Sequence, residues 1–415
     1  MSAVTRLGGR GGDLVAEARG RPMAHAVLEL IWHQQGITRA DIARSTGLAR
    51  STVSDLVGDL LDSGLVIESG DAPSRGGRRA VMLTFDDDAH AVLGVDIGAS
   101  HVSVVLTNLR GRVLHWVTEA CEVRDAPDRT CEVVERLCRS ALVSSPANDV
   151  SLLGLGVALP APVDDKDPGR PAASVLPAWE GHAGLADVAG RLGVPLEVEN
   201  DANLGALAEL WWGTSEGIRN FTFLKVATGV GAGHIVDGDI FRGSSGVAGE
   251  IGHVTIDPAG PPCVCGNRGC LTTFVGTEAL LDRVRALAPE YPGSPIDAET
   301  ATLKGLTDAA LAGDPLALAV IDEAGLHLGD AISGLINLMN PAEVVLGGGL
   351  TRVGDVLLDP IRREVARRTL VTSAARTRIR ASALGERDVA LGAATLVIAR
   401  ALEAPDRFFP QLAPA

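Results

Sequence analysis

The sequence predicts an α/β chain: an N-terminal winged helix-turn-helix followed by two actin-like (ribonuclease H-like) lobes, with a structural zinc site. Three observations carry this. Residues 22–86 run through three helical patterns stopped by glycines and end in a two-strand hairpin with an arginine-rich tip. The body then reads as three strands followed by alternating helix and strand, and a similar order begins again at Phe221. Between Glu250 and Cys270, one histidine and three cysteines share a short, glycine-containing segment.

With 415 residues there is room for two to four domains and an ample core. Apolar residues make up 46% and aromatics 3%, so that core is built from Ala, Val, Leu and Ile. Lysine occurs only at 166, 225 and 304, while arginine is common, a bias that fits a GC-rich genome. The net charge of −15 argues against a chain that coats nucleic acid or membrane along its whole length. Residues 1–80, however, hold ten arginines against nine carboxylates, so the front end alone approaches a polyanion cheaply. Residues 1–22 lack a continuous apolar core of a signal peptide, and no run of roughly 18 apolar residues exists to span a membrane. The expectation is a soluble, cytoplasmic protein.

Residues 1–21 are rich in Gly and Arg without apolar periodicity and read as a disordered arm. A helix follows Pro22, with Ala26, Val27, Leu30 and Ile31 on one face, and stops at Gly36. Thr38 caps a second helix that ends at Gly47, and a third runs from Arg50 to Ser63 with Val53, Leu56, Val57, Leu60 and Leu61 inward. Strands Leu65–Glu68 and Ala80–Thr84 flank the tip Arg75-Gly76-Gly77-Arg78-Arg79. Small polar groups and a guanidinium at the start of the third helix (Arg50, Ser51, Thr52 and Ser54) suit a recognition helix that reaches base edges and phosphate. Arg75, Arg78 and Arg79 suit a wing on phosphate or in the minor groove. A small helical domain that binds protein, with a solvated arginine loop, is the alternative.

The first lobe spans 87–210 and takes back a C-terminal helix at about 387–403; the second spans 211–386 and carries the cysteine motif. Strands are expected at 91–98, 101–106, 113–120 and 152–159, a helix at about 127–143, a strand at 196–199 and a helix at 204–210. Four polar stretches stand out. Asp96, Gly98 and Ser100 form a turn after a strand, where glycine lets phosphate approach the backbone. Glu199-Asn200-Asp201-Ala202-Asn203 ends a strand, and a carboxylate there can accept a hydroxyl proton, or Asp201 or Asn203 simply caps the next helix. Thr228, Gly229 and Gly231 belong to a glycine-rich hairpin able to wrap phosphate oxygens. Gly347 and Gly348 follow a strand, leaving room for a flat base or for close packing.

His253, Cys263, Cys265 and Cys270, spaced His-x9-Cys-x-Cys-x4-Cys, offer one imidazole and three thiolates, the donors of a closed tetrahedral zinc site. Disulfides or free thiols compete with it.

From residue 22 onward the chain resembles the ROK family (repressors, uncharacterised reading frames and sugar kinases). The resemblance is carried by DIGAS at 96–100, ENDAN at 199–203, TGVGAG at 228–233, EIGH at 250–253, CVCGNRGC at 263–270 and LGGG at 346–349. It implies that Glu250, His253, Asn200 and Asp201 line a sugar, with Asp201 as catalytic base in the kinases, and that the four Cys/His residues bind Zn2+. ATP belongs to the kinase branch, the winged helix to the repressors. Two departures stand against phosphorylation. Thr272 replaces a sugar-binding glutamate, removing a charge-assisted hydrogen bond of about 1.5–3 kcal/mol. Ala99 adds a methyl to the first phosphate turn. The expected function is a repressor of carbohydrate-metabolism genes, a dimer or tetramer on operator DNA, controlled by a sugar or sugar phosphate between the lobes. The alternatives are an ATP-dependent sugar kinase carrying a DNA-binding domain, and a regulator that responds to zinc or thiol oxidation.

Overall fold

A computed structural model describes residues 23–71, 79–144, 151–164, 167–171, 176–214, 217–369 and 377–409. The arm at 1–21 and the wing arginines Arg75 and Arg78 lie outside the described residues.

Helix α1 (Met23–His33), strand β1 (Ile37–Thr38), α2 (Arg39–Thr46), α3 (Arg50–Asp62), β2 (Val66–Asp71) and β3 (Val81–Phe85) form the winged helix. Thr38 caps α2 as expected. Its side chain accepts from the Asp41 amide while Asp41 accepts from the Thr38 amide, and Gly47 closes the helix in the left-handed region at φ 73°. The two residues of β1 add a third strand to the hairpin, in the order β1-β3-β2. That pairing joins Ile37 to Leu83 and Thr38 to Met82, far apart in the chain, and has no local signature.

The first lobe contains β4 (His90–Ile97), β5 (His101–Asn108), β6 (Val113–Ala120), α4 (Pro127–Ser144), β7 (Ser151–Leu159), the short pair β8 (Val163–Asp164) and β9 (Asp167–Pro171), α5 (Gly184–Leu192) and β10 (Leu196–Asn200). Its sheet order is β6-β5-β4-β7-β10. Helix α6 (Asp201–Trp212) leads to the second sheet: β11 (Phe221–Val226), β12 (Val230–Val236) and β13 (Asp239–Ile240). Then come α7 (Thr272–Val275), α8 (Thr277–Leu287), α9 (Leu303–Leu311), α10 (Pro315–Met339), β14 (Glu343–Gly347), α11 (Asp355–Arg368) and β15 (Arg378–Ala381). The chain closes with α12 (Asp388–Glu403) and α13 (Pro405–Phe408).

The second sheet runs β13-β12-β11-β14-β15, which is the order of the first strand for strand. In both, three antiparallel strands are followed by two parallel ones. The structural repeat is therefore complete although the two halves share no obvious sequence. Two buried helices join them. A Cβ on Gly94 or Gly156 would strike the α12 backbone, and one on Gly392 of α12 would strike the Leu204 carbonyl of α6. Both helices thus lie against their neighbours at backbone contact, α12 on the first sheet and α6 between α12 and β12 of the second.

Candidate functional site: an interlobe cleft linked to the winged helix

A cleft of about 790 Å³ opens between the sheets, and its lining includes Gly98, Asn200, Asp201, Lys225, Glu250 and His253. Thr228, Gly229, Gly231, Thr272 and Thr273 line it as well. Strand β10 ends at Asn200, whose side chain accepts from the Ala202 and Asn203 amides. The helix therefore starts at Asp201, three residues before the expected start, and its cap is Asn200 rather than Asp201 or Asn203. The Asp201 carboxylate lines the cleft, with one oxygen on the Ala202 amide at 2.7 Å. Glu199 holds the strand end in place, accepting from Arg242 Nε at 2.7 Å and from Asn203 Nδ2 at 3.1 Å.

The deepest part of the cleft is charged. Lys225 Nζ donates to Asp201 Oδ2 at 2.8 Å and stands 3.7 Å from Asp96 Oδ1. Burial alone would discharge this ammonium, but Asp201 and Asp96 more than reverse that and hold its pKa above the ordinary lysine value. Asp96 is treated the same way: burial pushes it up, while Lys225 and His101 bring it below the usual carboxylate range. Asp388, buried at the start of α12, is pushed up by burial to about 7, and Lys225 only partly offsets this. The sequence did carry a signal for Lys225, which is one of three lysines and sits within the apolar strand FTFLKV.

Gly347 and Gly348 are absent from the cleft lining and serve close packing. A Cβ on the first would strike Phe223 and Asp388, and one on the second the Val226 carbonyl. Ser100 does not line the cleft either, and Asp96 lies buried beneath it.

At the other wall, His253, Cys263, Cys265 and Cys270 bring one donor atom each to within 4.8 Å of one another, an arrangement able to hold a metal ion. Glycines at φ 90° (Gly266) and 64° (Gly269) turn the backbone around them. All three cysteines are free thiols, and the Cys265 and Cys270 sulfurs stand 3.7 Å apart, too far for a disulfide. The Asn267 amide brings Cys265 down to about 7, and burial pushes Cys270 up to about 12, so the pair holds a proton that a metal would displace. His253 presents Nδ1 to Cys263 Sγ at 3.4 Å and Nε2 to Glu250 at 4.0 Å, so one ring faces both the cluster and the cleft.

Helix α3 exposes Arg50, Ser51 and Ser54, with Thr52 half-buried; Arg79 is exposed on the wing. No side chain caps its first amides, which remain open to an anion. Asp55, Asp59 and Asp62 are exposed further along, so only the first turn suits phosphate.

A sequence profile described as the ROK family matches residues 92–400, three quarters of the chain. The chain belongs to the ROK family. A profile described as the MarR family matches residues 21–80, over the winged helix. This ROK chain is 30% identical over 380 residues to the xylose repressor of Bacillus spizizenii, covering 91% of this chain and 95% of that protein. It is 33% identical over 340 residues to the DNA-binding transcriptional dual regulator NagC of Escherichia coli, covering 81% and 82% of the two. Among solved structures, a ROK family transcriptional regulator, homologous to the E. coli MLC protein, superposes with TM-score 0.76 at 27% identity, covering 94% of this chain and 97% of that one. A ROK family glucokinase from Streptomyces griseus, solved with glucose and AMPPNP, superposes with TM-score 0.65 at 27% identity, covering 74% and 98%. The winged helix followed by a ROK body is thus the architecture of the regulators, and the body alone that of the kinase. Among the described residues, no helix is long and apolar enough to cross a membrane.

The two modules are packed as one body. Trp32 of α1 meets Phe85 edge-on at 4.7 Å and Trp211 of α6 at 6.3 Å. Arg110 lies over the Trp32 ring at 3.8 Å, donates to the Trp32 carbonyl at 2.6 Å and to Asp87 at 2.7 Å. Trp212 Nε1 donates to Thr395 of α12 at 2.7 Å. The winged-helix core is continuous with residues of β4, β5 and α12.

Proposed function

We propose that this chain is a transcriptional repressor of carbohydrate-metabolism genes that binds operator DNA and is controlled by a sugar or sugar phosphate in the cleft. The observation that carries this is α6, whose first residue lines the cleft and whose last two, Trp211 and Trp212, belong to the docking surface of the winged helix. Asn200, Asp201, Glu250 and His253 hold the ligand. Arg50, Ser51, Thr52 and Ser54 read the operator, with Arg75, Arg78 and Arg79 on its backbone. A dimer or tetramer sets two recognition helices on a pseudo-palindromic site. Zn2+ on His253, Cys263, Cys265 and Cys270 fixes the wall that bears Glu250, and its chemistry is structural because four protein donors complete the coordination.

The test is titration of sugars and sugar phosphates into the complex with an operator selected from random duplex DNA. Release by one of them supports the proposal, and indifference to every one of them contradicts it. The domain plan (22–86, then 87–210 with about 387–403, then 211–386) accompanies this reading, as does a cytoplasmic location. The similarity to the Streptomyces griseus glucokinase and the presence of Asp201 in the cleft favour a second reading: an ATP-dependent sugar kinase, with Asp201 as base and nucleotide phosphates on the cleft-lining Gly98, Thr228, Gly229 and Gly231. ADP release that Asp201→Asn abolishes would establish it.

A further inference from the structure

Phosphoryl transfer needs a backbone turn open to phosphate, a divalent cation to gather negative charge, and a base free to take a hydroxyl proton. In this cleft all three positions are engaged by the chain's own side chains. The His101 imidazole folds back over the turn at Gly98, close enough that a Cβ there would strike the ring, and its Nε2 lies 3.3 Å from Asp96 Oδ2. Lys225 reaches in from the opposite sheet, with its ammonium 2.8 Å from Asp201 Oδ2 and 3.7 Å from Asp96 Oδ1. The remaining Asp201 oxygen accepts from the Ala202 amide at 2.7 Å.

Two further observations concern charge. Asp96 and Asp388 are each 4% exposed, and each keeps one oxygen, Oδ1 and Oδ2 respectively, without a hydrogen-bond partner. An unsatisfied buried carboxylate oxygen 3.7 Å from a positive centre, as at Asp96, is what a cation site looks like from the ligand side. Here that centre is an ammonium tethered to β11, which cannot dissociate or exchange.

We propose that Lys225 stands in place of a divalent cation between Asp96 and Asp201, and that with His101 over Gly98 it commits the cleft to holding a sugar without phosphorylating it. The proposal rests on the sugar-cleft function above. Asp201 then anchors a ligand hydroxyl as an acceptor. It does not act as a base, because taking a proton would break its ion pair and leave the ammonium to Asp96. The ammonium is already matched by carboxylates, so Lys225 itself offers no unpaired positive charge to a phosphate ester. What fits against Lys225 and Asp201 is the uncharged, hydroxyl-bearing part of a sugar.

The test uses the full-length, zinc-loaded protein and its Lys225→Met variant, a near-isosteric change that removes the ammonium and its hydrogen bond to Asp201. Free Mn2+ is followed by electron paramagnetic resonance during titration. The variant is expected to take up one equivalent at least tenfold more tightly than the parent, and Asp96→Asn in that background is expected to abolish the uptake. Equal Mn2+ affinity in parent and variant overturns the proposal. The parent protein supplies a second arm that does not depend on how the variant folds. With Mg·ATP and D-xylose, D-glucose or N-acetylglucosamine it is expected to release no ADP above the sugar-free rate, and sugar-dependent ADP release overturns the proposal. Calorimetry of the same sugars separates the two ideas. A cleft that binds none of them defeats the sugar reading, while the Mn2+ contrast still reports on Lys225.

Discussion

The two ends of α6 lie in opposite surroundings. At Asp201 the helix meets the cleft and a buried ammonium that stands between the Asp201 and Asp96 carboxylates. At Trp211 and Trp212 it meets the indole of Trp32, which Phe85 and Arg110 cover in turn. The helix between them is 12 residues long, about 18 Å at 1.5 Å per residue. Its sides are buried from Asp201 to Glu209, so it cannot bend independently of the sheets it joins. A polar end suits a ligand that exchanges, and an aromatic end suits a joint that must stay formed while it shifts. The difference separates sensing from transmission within one element, and control of DNA binding follows only if ligand affinity differs between the two docked arrangements.

The largest expected effect comes from the anchor between the two ends. Glu209 is fully buried and accepts from Arg380 at 2.9 Å, and Arg380 also pairs with buried Glu343 at 3.3 Å. Arg380→Ala removes the ion-pair partner of Glu209, which keeps a hydrogen bond from Ser382, while Glu343 keeps Arg378, and it is expected to cost about 3 kcal/mol in urea unfolding. A loss under 1 kcal/mol would mean α6 is not fixed to the second sheet there.

The polar end is probed by pH. Burial raises Asp388 from 3.8 to about 7 in the folded chain. Between those values the folded state binds more protons than the unfolded one. The contribution is therefore complete below about pH 4 and is lost as the pH rises toward 7. Asp388→Asn removes that slope, so its stability relative to the parent should grow with pH by up to about 1 kcal/mol per unit. Urea midpoints at pH 5, 6 and 7 that run parallel would contradict this.

At the aromatic end, Arg110→Ala removes the cation–π contact with Trp32 and two hydrogen bonds, with an expected loss of about 2 kcal/mol. It should also bring earlier proteolysis of the winged helix. The smallest effect is a control away from α6: Thr38→Ala breaks the capping box of α2 and should cost about 1 kcal/mol without altering sugar affinity. A change in sugar affinity would extend the coupling beyond the Trp32 contact.

Much of this comparison was legible in the sequence, but unevenly. The helices of the winged helix, the Thr38 cap, the strand order of the first lobe and the Cys/His cluster all depend on local spacing, and the structure bears them out. The start of α6 was misplaced because Asn200, Asp201 and Asn203 are all good caps, and only tertiary contacts choose Asn200. The double glycine at 347–348 had two readings, and close packing against Phe223 and Val226 is the one observed. The docking surface was invisible: Arg110 meets a carbonyl 78 positions away and Trp212 a hydroxyl 183 positions away, and no periodicity encodes such pairs. Lys225 was counted as a rarity but not read as a charge inside a strand.

The measurement that bears most directly on transmission through α6 compares the parent with Trp211→Ala in sugar-driven release from operator DNA, followed by fluorescence anisotropy at fixed salt. The variant should bind operator and sugar with affinities within about threefold of the parent, yet need at least tenfold more sugar for release, a coupling loss of about 1.4 kcal/mol. Release at the parent's sugar concentration, with both affinities unchanged, would contradict it.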